Sequence, residues 1–345
     1  NAQYAASRGQ AIQTLSLEEV TLQSVTAVLQ DVKALVVQAG NGTLTDADRA
    51  SVATALQSSF DQLQGLANSD DGNGQFLFAG FKSASPPFVK QTDGSILYAG
   101  DQGQRLVQVD VARQMAITDD GRSIFQSVQG GAGYVNSAAV ANTGSGVFSA
   151  NSVLDPTDPN FGKDFHISFP TATSYQVDTV PPGAVVSSGA YSAGAAIQFG
   201  GLQIAISGAP AAGDSFNVST AKNAGADVFG ALGDIIAALR KPIDSGSGAN
   251  RAQLLNALST ANKKVTNAHD NVLTVRSSIG ARLQELDSLN TAGSNRTQLD
   301  KNQLSDLQDL DYASAISEFY QRQTALQATQ QAFVKIQKLS LFNYL

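Results

Sequence analysis

Apolar residues return at heptad spacing at both ends of this chain, and that repetition restricts the ends to long helices that need partner helices. Leu15, Leu22, Leu29 and Val36 form one row, and Ala11, Val25, Val32 and Ala39 form a second. Toward the other end, Leu254, Leu258, Ala261, Val265, Ala268, Val272, Val275 and Ile279 alternate steps of four and three. Burying each large apolar side chain of such a row stabilises by about 1.5–3 kcal/mol, so the second seam calls for a partner, for which the N-terminal helix is the expected choice. Asn41-Gly42 stops the first helix, because glycine tolerates the left-handed cap conformation. Thr45 then supplies a capping hydroxyl, with Asp46 and Asp48 in the first turn, and a second helix runs to about Ala67.

Beyond Ile279, the spacing carries an apolar stripe through Leu283, Leu286 and Leu289 to an expected break at Gly293. A last helix is expected from about Leu299 to Lys338, with a seam of Tyr312, Ile316, Phe319, Gln323, Leu326, Gln330, Phe333 and Gln337. The terminal Ser340 to Leu345, with Leu341, Phe342 and Leu345, is apolar for an end of a chain.

Between the helical ends the pattern changes to short strands and turns. Asp70-Asp71-Gly72-Asn73-Gly74 is rich in turn formers, and Gln75 to Gly80 reads as a short aromatic strand. Further strands are expected at Ile96–Tyr98, Leu106–Val111 and Ile124–Phe125. Residues 121–226 hold 15 of the 31 glycines but only eight charged side chains, which marks a separate β unit. Its strands are expected at Phe165–Phe169, Tyr175–Val177, Ala196–Phe199, Leu202–Ile206 and Phe216–Val218. Helical spacing resumes with Val228, Leu232, Ile235, Ile236 and Leu239.

The predicted fold class is α+β: an elongated antiparallel helical bundle or coiled-coil rod made by both chain ends, with a small β region and an inserted all-β head domain. The division that follows is 1–70 and 224–309 for the rod helices, 71–126 for the small β region, 127–223 for the head and 310–345 for a final helix. A length of 345 residues agrees with more than one packing unit.

Composition narrows the chemistry. A net charge of −7 argues against nucleic acid as a partner. With no cysteine, disulfides, thiolate metal sites and a cysteine nucleophile are excluded. No apolar run approaches the roughly 18–20 residues that span a bilayer, so membrane insertion is not expected. The chain opens at Asn1 inside helical spacing, which leads us to expect a preceding segment.

His166 and His269 stand 103 positions apart, His269 beside the helical seam and His166 in a strand, and neither spacing suggests catalysis. Asp70 to Gly74 resembles a calcium loop only at its start, since Phe81 occupies the twelfth position where a glutamate is needed. Gly131, Gly133, Gly144 and Gly146 lack the flanking strand and helix of a dinucleotide loop. No enzymatic activity, cofactor or metal is expected.

Three stretches carry a resemblance to a known family. Ala67-Asn68-Ser69-Asp70-Asp71-Gly72-Asn73-Gly74-Gln75-Phe76-Leu77-Phe78-Ala79-Gly80, followed by Pro86-Pro87-Phe88 and Tyr98-Ala99-Gly100-Asp101, resembles the flagellar hook-associated protein 3 family. Ile279-Gly280-Ala281-Arg282-Leu283-Gln284-Glu285-Leu286 and the end from Leu339 to Leu345 are similar to the same family, though flagellins share their character. The resemblance implies a non-enzymatic subunit of the bacterial flagellum, exported through its type III apparatus to the extracellular junction between hook and filament. The implied partners are identical subunits in a ring, the other hook-filament junction protein, flagellin and an export chaperone. Leu15, Leu22, Val25, Leu29, Val32, Val36, Leu254, Leu258, Val265, Val272, Val275 and Ile279 are expected to pack the rod. Tyr312, Ile316, Phe319, Leu326, Phe333, Leu341, Phe342 and Leu345 are expected at the axial assembly surface. A flagellin-type filament subunit and a secreted surface-binding module are the alternative readings.

Overall fold

The computed structural model describes residues 2–181, 183–243, 248–308 and 311–338. It divides after Ser288 into two compact units. In the larger unit, α1 (Ala2–Ala39) and α2 (Asp46–Ala67) form a helical hairpin, and α2 packs against α1 and α4 (Val228–Arg240). The turn between α1 and α2 is short, which makes α2 the nearest backbone neighbour of α1 among the helices. α5 (Gly248–Gln308) reaches α1 through side chains: Arg276 donates to Glu19 Oε1 at 2.7 Å and to Thr26 Oγ1 at 3.3 Å. Thr45 caps α2 as part of a reciprocal box, in which Asp48 N–H donates to the Thr45 hydroxyl and Thr45 N–H donates to the Asp48 carboxylate.

By length and composition α1 is apolar enough to cross a membrane, a property hidden from a search for unbroken apolar runs because polar residues punctuate it. Its most apolar stretch is 44% buried inside the protein, where the heptad rows lie.

Two two-stranded ribbons form the small β region: β1 (Phe88–Lys90) with β2 (Ile96–Tyr98), and β3 (Leu106–Asp110) with β4 (Arg113–Ala116). Gln75 to Gly80, expected as a strand, makes a single bridge between Asp70 and Phe76 and then turns. Leu77, Phe78 and Ala79 are all buried in succession, which an extended strand with alternating faces cannot achieve against one core. Gly80 completes the turn at φ +68°, where a Cβ would lie 2.4 Å from the Asp101 carbonyl oxygen. Ile124 and Phe125, also expected as strand, belong to the short helix α3 (Gly121–Phe125). Asp120 is its N-cap, accepting from Ser123 N–H at 2.9 Å. Phe78 and Phe88 flank Phe125 at centroid distances of 5.7 and 5.3 Å, and Phe229 of α4 bridges Phe88 at 5.3 Å and Phe60 of α2 at 5.8 Å. These rings weld α2, the turn segment, β1, α3 and α4 into one core.

The remaining strands are β5 (Tyr134–Ala138), β6 (Val147–Phe148), β7 (Ser152–Val153), β8 (Asp164–Thr171), β9 (Ser174–Val180), β10 (Val185–Ala190), β11 (Ala196–Phe199), β12 (Leu202–Ser207) and β13 (Ser215–Thr220). One antiparallel sheet runs β10-β9-β8-β13-β5 and another β11-β12-β6, with β7 also paired to β12. Phe165, Ile167 and Phe169 of β8 share one apolar core with Ile204 and Ile206 of β12, which places that core between the two sheets. Gly200 and Gly201, both at positive φ, close the β11–β12 hairpin.

A polar row on α5 holds these β elements. Gln253, Asn256, Thr260, Asn271 and Thr274 are separated by three, four and eleven residues, close to whole turns, so they share the face beside the apolar seam. Asn256 Nδ2 donates to Gly146 O at 2.9 Å while its Oδ1 accepts from Phe148 N–H at 3.1 Å. Thr260 Oγ1 donates to Asn136 O at 2.7 Å, and Gln253 Nε2 donates to Asn142 O at 2.9 Å. Asn271 Nδ2 donates to the carbonyls of Ser123 and Ile124 at 2.7 and 2.9 Å, and Gln129 reaches Thr274 and, at 2.8 Å, Asp270 O.

α5 continues through Gly293, where an end was expected. One glycine costs a helix about 1 kcal/mol, and α5 carries that cost here even though Asn290, Thr291, Ser294 and Asn295 beside it are weak helix formers. The segment expected to begin the last helix at Leu299 therefore belongs to α5, which is described as far as Gln308, and α6 (Tyr312–Lys338) follows Asp311. The Asp311 carboxylate accepts from the N–H groups of Ala313 and Ser314, each at 3.1 Å.

Two stability measurements check this account. Leu22→Ala, at a fully buried seam position, is expected to cost about 2–5 kcal/mol in chemical denaturation. Asn256→Ala leaves the Phe148 N–H and Gly146 carbonyl without a side-chain partner, for an expected loss of about 1–3 kcal/mol. Hydrogen exchange should quicken at residues 146–148 in that variant.

Candidate assembly surfaces

The residues expected to pack the rod fall into two groups by exposure. Leu15, Leu22, Val25, Leu29, Val32 and Val36 are at most 4% exposed, and Leu254, Leu258, Val265, Val272 and Ile279 at most 7%. Val275 is half-buried. Within the first seam the spacing places Glu18 between Leu15 and Leu22, and it too is buried.

Ion pairs fasten the margins of this packing. Arg276 pairs with Glu19 at 2.7 Å. Arg113 of β4 grips Glu285 of α5 through two bonds of 2.6 and 2.8 Å, and this contact holds the Glu285 carboxyl below its ordinary value. Arg282 pairs with Asp119 and donates to Ala116 O at 2.9 Å. Arg282 and Glu285 lie on the same face of α5 as the polar row, so the helix engages the β3–β4 ribbon and the segment after it. Sequence reasoning missed this second stripe, since only apolar spacing was followed. The repeated amide and hydroxyl residues from Gln253 to Thr274 were its signal.

In the smaller unit, α6 buries none of its residues. Tyr312, Ile316, Phe319, Leu326 and Phe333 are each at least 51% exposed, and Tyr320, Val334 and Ile336 add to the apolar surface. Phe319 and Tyr320 stack edge to face at 6.1 Å. Leu341, Phe342 and Leu345, also expected at this surface, lie outside the described residues.

The candidate chemical groups have structural surroundings. His166 Nδ1 lies 2.8 Å from Asn217 Oδ1 across β8 and β13. His269 Nδ1 is 3.5 Å from the Asp270 carboxylate. Asp70 and Asp71 accept from backbone N–H groups of their own turn, at Gly72, Asn73 and Gln75, and the bond from Asn73 lowers the Asp71 carboxyl. Among the described residues no group of three His, Asp or Glu side chains is placed to hold a metal ion.

Comparison with known proteins agrees with this arrangement. Residues 1–83 match the bacterial flagellin N-terminal helical region and residues 262–345 the bacterial flagellin C-terminal helical region. The chain is 32% identical to flagellar hook-associated protein 3 of Salmonella typhimurium, over 99% of this chain and 80% of that protein, and equally identical to its namesake in Escherichia coli. Among solved structures it resembles FlgL of Xanthomonas campestris, at 31% identity and a TM-score of 0.77, covering 88% of this chain and 97% of that one. It also resembles flagellar hook associated protein-3 of Legionella pneumophila, at 27% identity and a TM-score of 0.80, covering 90% and 96%. With heptad helices toward both ends, a β insertion gripped by α5 and near-complete coverage by these relatives, the chain belongs to the flagellar hook-associated protein 3 family.

Proposed function

We propose that this chain works at the hook-filament junction of the bacterial flagellum as one subunit of a ring of identical copies, laid on the other hook-filament junction protein and serving as the base on which flagellin assembles. The family makes it a structural component of the flagellum. The observation that carries the finer reading is α6, a 27-residue helix whose large apolar side chains are all exposed. Such a surface is stable in water only when neighbours cover it, and helices of adjacent subunits would bury these side chains as the assembly forms.

The same surface supports export with a chaperone. Phe319, Tyr320 and Phe333 are exposed enough to aggregate, so a partner that shields α6 before passage through the type III apparatus would keep the chain competent to assemble. Assembly of this kind needs no catalytic group, since its free energy comes from area buried between subunits.

Two experiments test the proposal. Deleting the gene should leave bare hooks in electron micrographs and flagellin in the medium, both reversed by the full-length gene; normal filaments would contradict the junction role. Replacing Phe319 and Phe333 together by serine should abolish complementation while the thermal transition of residues 2–288 stays unchanged, because neither side chain is buried. Complementation at the wild-type level would remove α6 from the assembly surface.

A further inference from the structure

The seam of α1 contains one acid. Ala11, Leu15, Glu18, Leu22 and Val25 follow steps of four and three, so Glu18 stands where an apolar residue would extend the row. It is 1% exposed. One carboxyl oxygen, Oε1, accepts from Asp119 N–H at 3.2 Å, and the other, Oε2, is buried with no hydrogen-bond partner among the described residues.

Charged groups from three segments face it. Asp119 comes from the segment between β4 and α3, Arg282 from α5, and Arg105 from the residue before β3. The Arg282 guanidinium is already paired with the Asp119 carboxylate, and Arg105 Nη1 donates to Gln75 Oε1 at 2.8 Å. On α1 itself the next residue, Glu19, is committed to Arg276. Among the described residues no cation forms an ion pair with Glu18; the Arg105 charge, whose Nη1 bond goes to a neutral amide, acts on it only weakly. An ionised carboxylate without an ion-pair partner is costly in such a place, and the neutral acid, though its Oε2 stays unbonded, costs far less.

We propose that Glu18 is a proton-operated latch: it is held as the neutral acid while residues 116–121 are seated on α1 and α5, and its ionisation sets a second buried negative charge against the Asp119 carboxylate, a repulsion that outweighs the Asp119 N–H bond and loosens that segment from α1. Burial pushes the Glu18 carboxyl well above its ordinary value. Asp119 pushes the same way, against opposing contributions from Arg282, the Asp119 N–H and Arg105. The sign of the linkage follows. The folded chain keeps a proton that the unfolded chain releases above about pH 4.3, so stability falls as pH rises from there to the folded value. One such group changes the folding equilibrium by up to about tenfold per pH unit across that window.

The test uses the full chain and Glu18→Gln, which keeps the shape of the neutral acid. Thermal unfolding and hydrogen exchange are followed from pH 5 to pH 9. Asp227, whose carboxyl is also raised by burial, contributes the same slope to both proteins and cancels in their difference. The variant should become more stable than wild type as pH rises, with the gap closing toward pH 5. Protection of residues 116–121 should fall with pH in wild type alone. Equal pH slopes, or a variant less stable by a constant amount at every pH, would overturn the proposal. A measurement on wild type decides the matter even if the variant does not fold. The chain has four glutamates, Glu18, Glu19, Glu285 and Glu318, so selective 13C labelling of their carboxyl carbons gives four titration curves. One must titrate well above the other three; four curves in the ordinary carboxylate range refute the latch.

Discussion

Buried backbone has to find hydrogen-bond partners, and in this protein much of the irregular backbone from residue 116 to 148 finds them on one helix. Asn256 offers both halves of its amide, meeting Phe148 N–H and Gly146 O as a neighbouring strand would. Asn271 donates from Nδ2 to the carbonyls of Ser123 and Ile124 in α3, and Arg282 donates to Ala116 O. The β sandwich and the β3–β4 ribbon are thereby set along α5 by directional contacts instead of by a greasy interface alone. Hydrophobic burial is non-directional and would permit sliding along the helix, whereas an amide clip is satisfied in one register. An apolar stripe for the helices and a polar stripe for the β elements occupy adjacent faces of the same α-helix.

The aromatic cluster has the complementary task. Phe60, Phe78, Phe88, Phe125 and Phe229 come from five separate segments and meet in contacts of 5.3 to 5.8 Å. Its tight neighbourhood explains why the Phe76 to Gly80 segment abandons extended geometry. Three consecutive buried side chains require the chain to turn, and Gly80 supplies the backbone angle. Gly121 is equally constrained, since a Cβ there would come within 2.8 Å of the Phe88 ring.

An assembly subunit has to fold without satisfying all of its apolar surface. The larger unit keeps its heptad rows internal, and α6 keeps its apolar side chains outside. The contrast is chemical as well as geometric. Glutamines at 323, 330 and 337 interrupt the apolar residues of α6, and such polar positions in a helical seam trade stability for selectivity of partner and register. Glu18 is the corresponding interruption in α1, but enclosed, so its cost depends on a proton instead of on a partner.

Heptad spacing determined that the regions toward both ends are helical, and Gly42 and Thr45 marked where α1 stops and α2 begins. The buried Arg8, Glu18, Thr21 and Thr26 gave no apolar signal, but, Val275 apart, the spacing determined which apolar rows of α1 and of the first half of α5 are buried, because a helix repeats its faces at a fixed interval. Strands such as Phe165–Phe169 and Leu202–Ile206 were legible for the same reason, as alternation. Tertiary structure decided the rest. Whether Gln75 to Gly80 extends or turns depends on side chains outside the segment, Phe88 close by and Asp101 and Phe125 farther along the chain. Whether Gly293 ends a helix depends on a balance of about 1 kcal/mol that local pattern cannot resolve, whereas the start of α6 is marked by the Asp311 cap. The polar stripe of α5 carried a readable spacing, but amides on a helix face look the same in sequence whether they meet water or backbone. Only the folded chain, by bringing residues more than a hundred positions apart within hydrogen-bonding distance, made them a binding surface for its own β insertion.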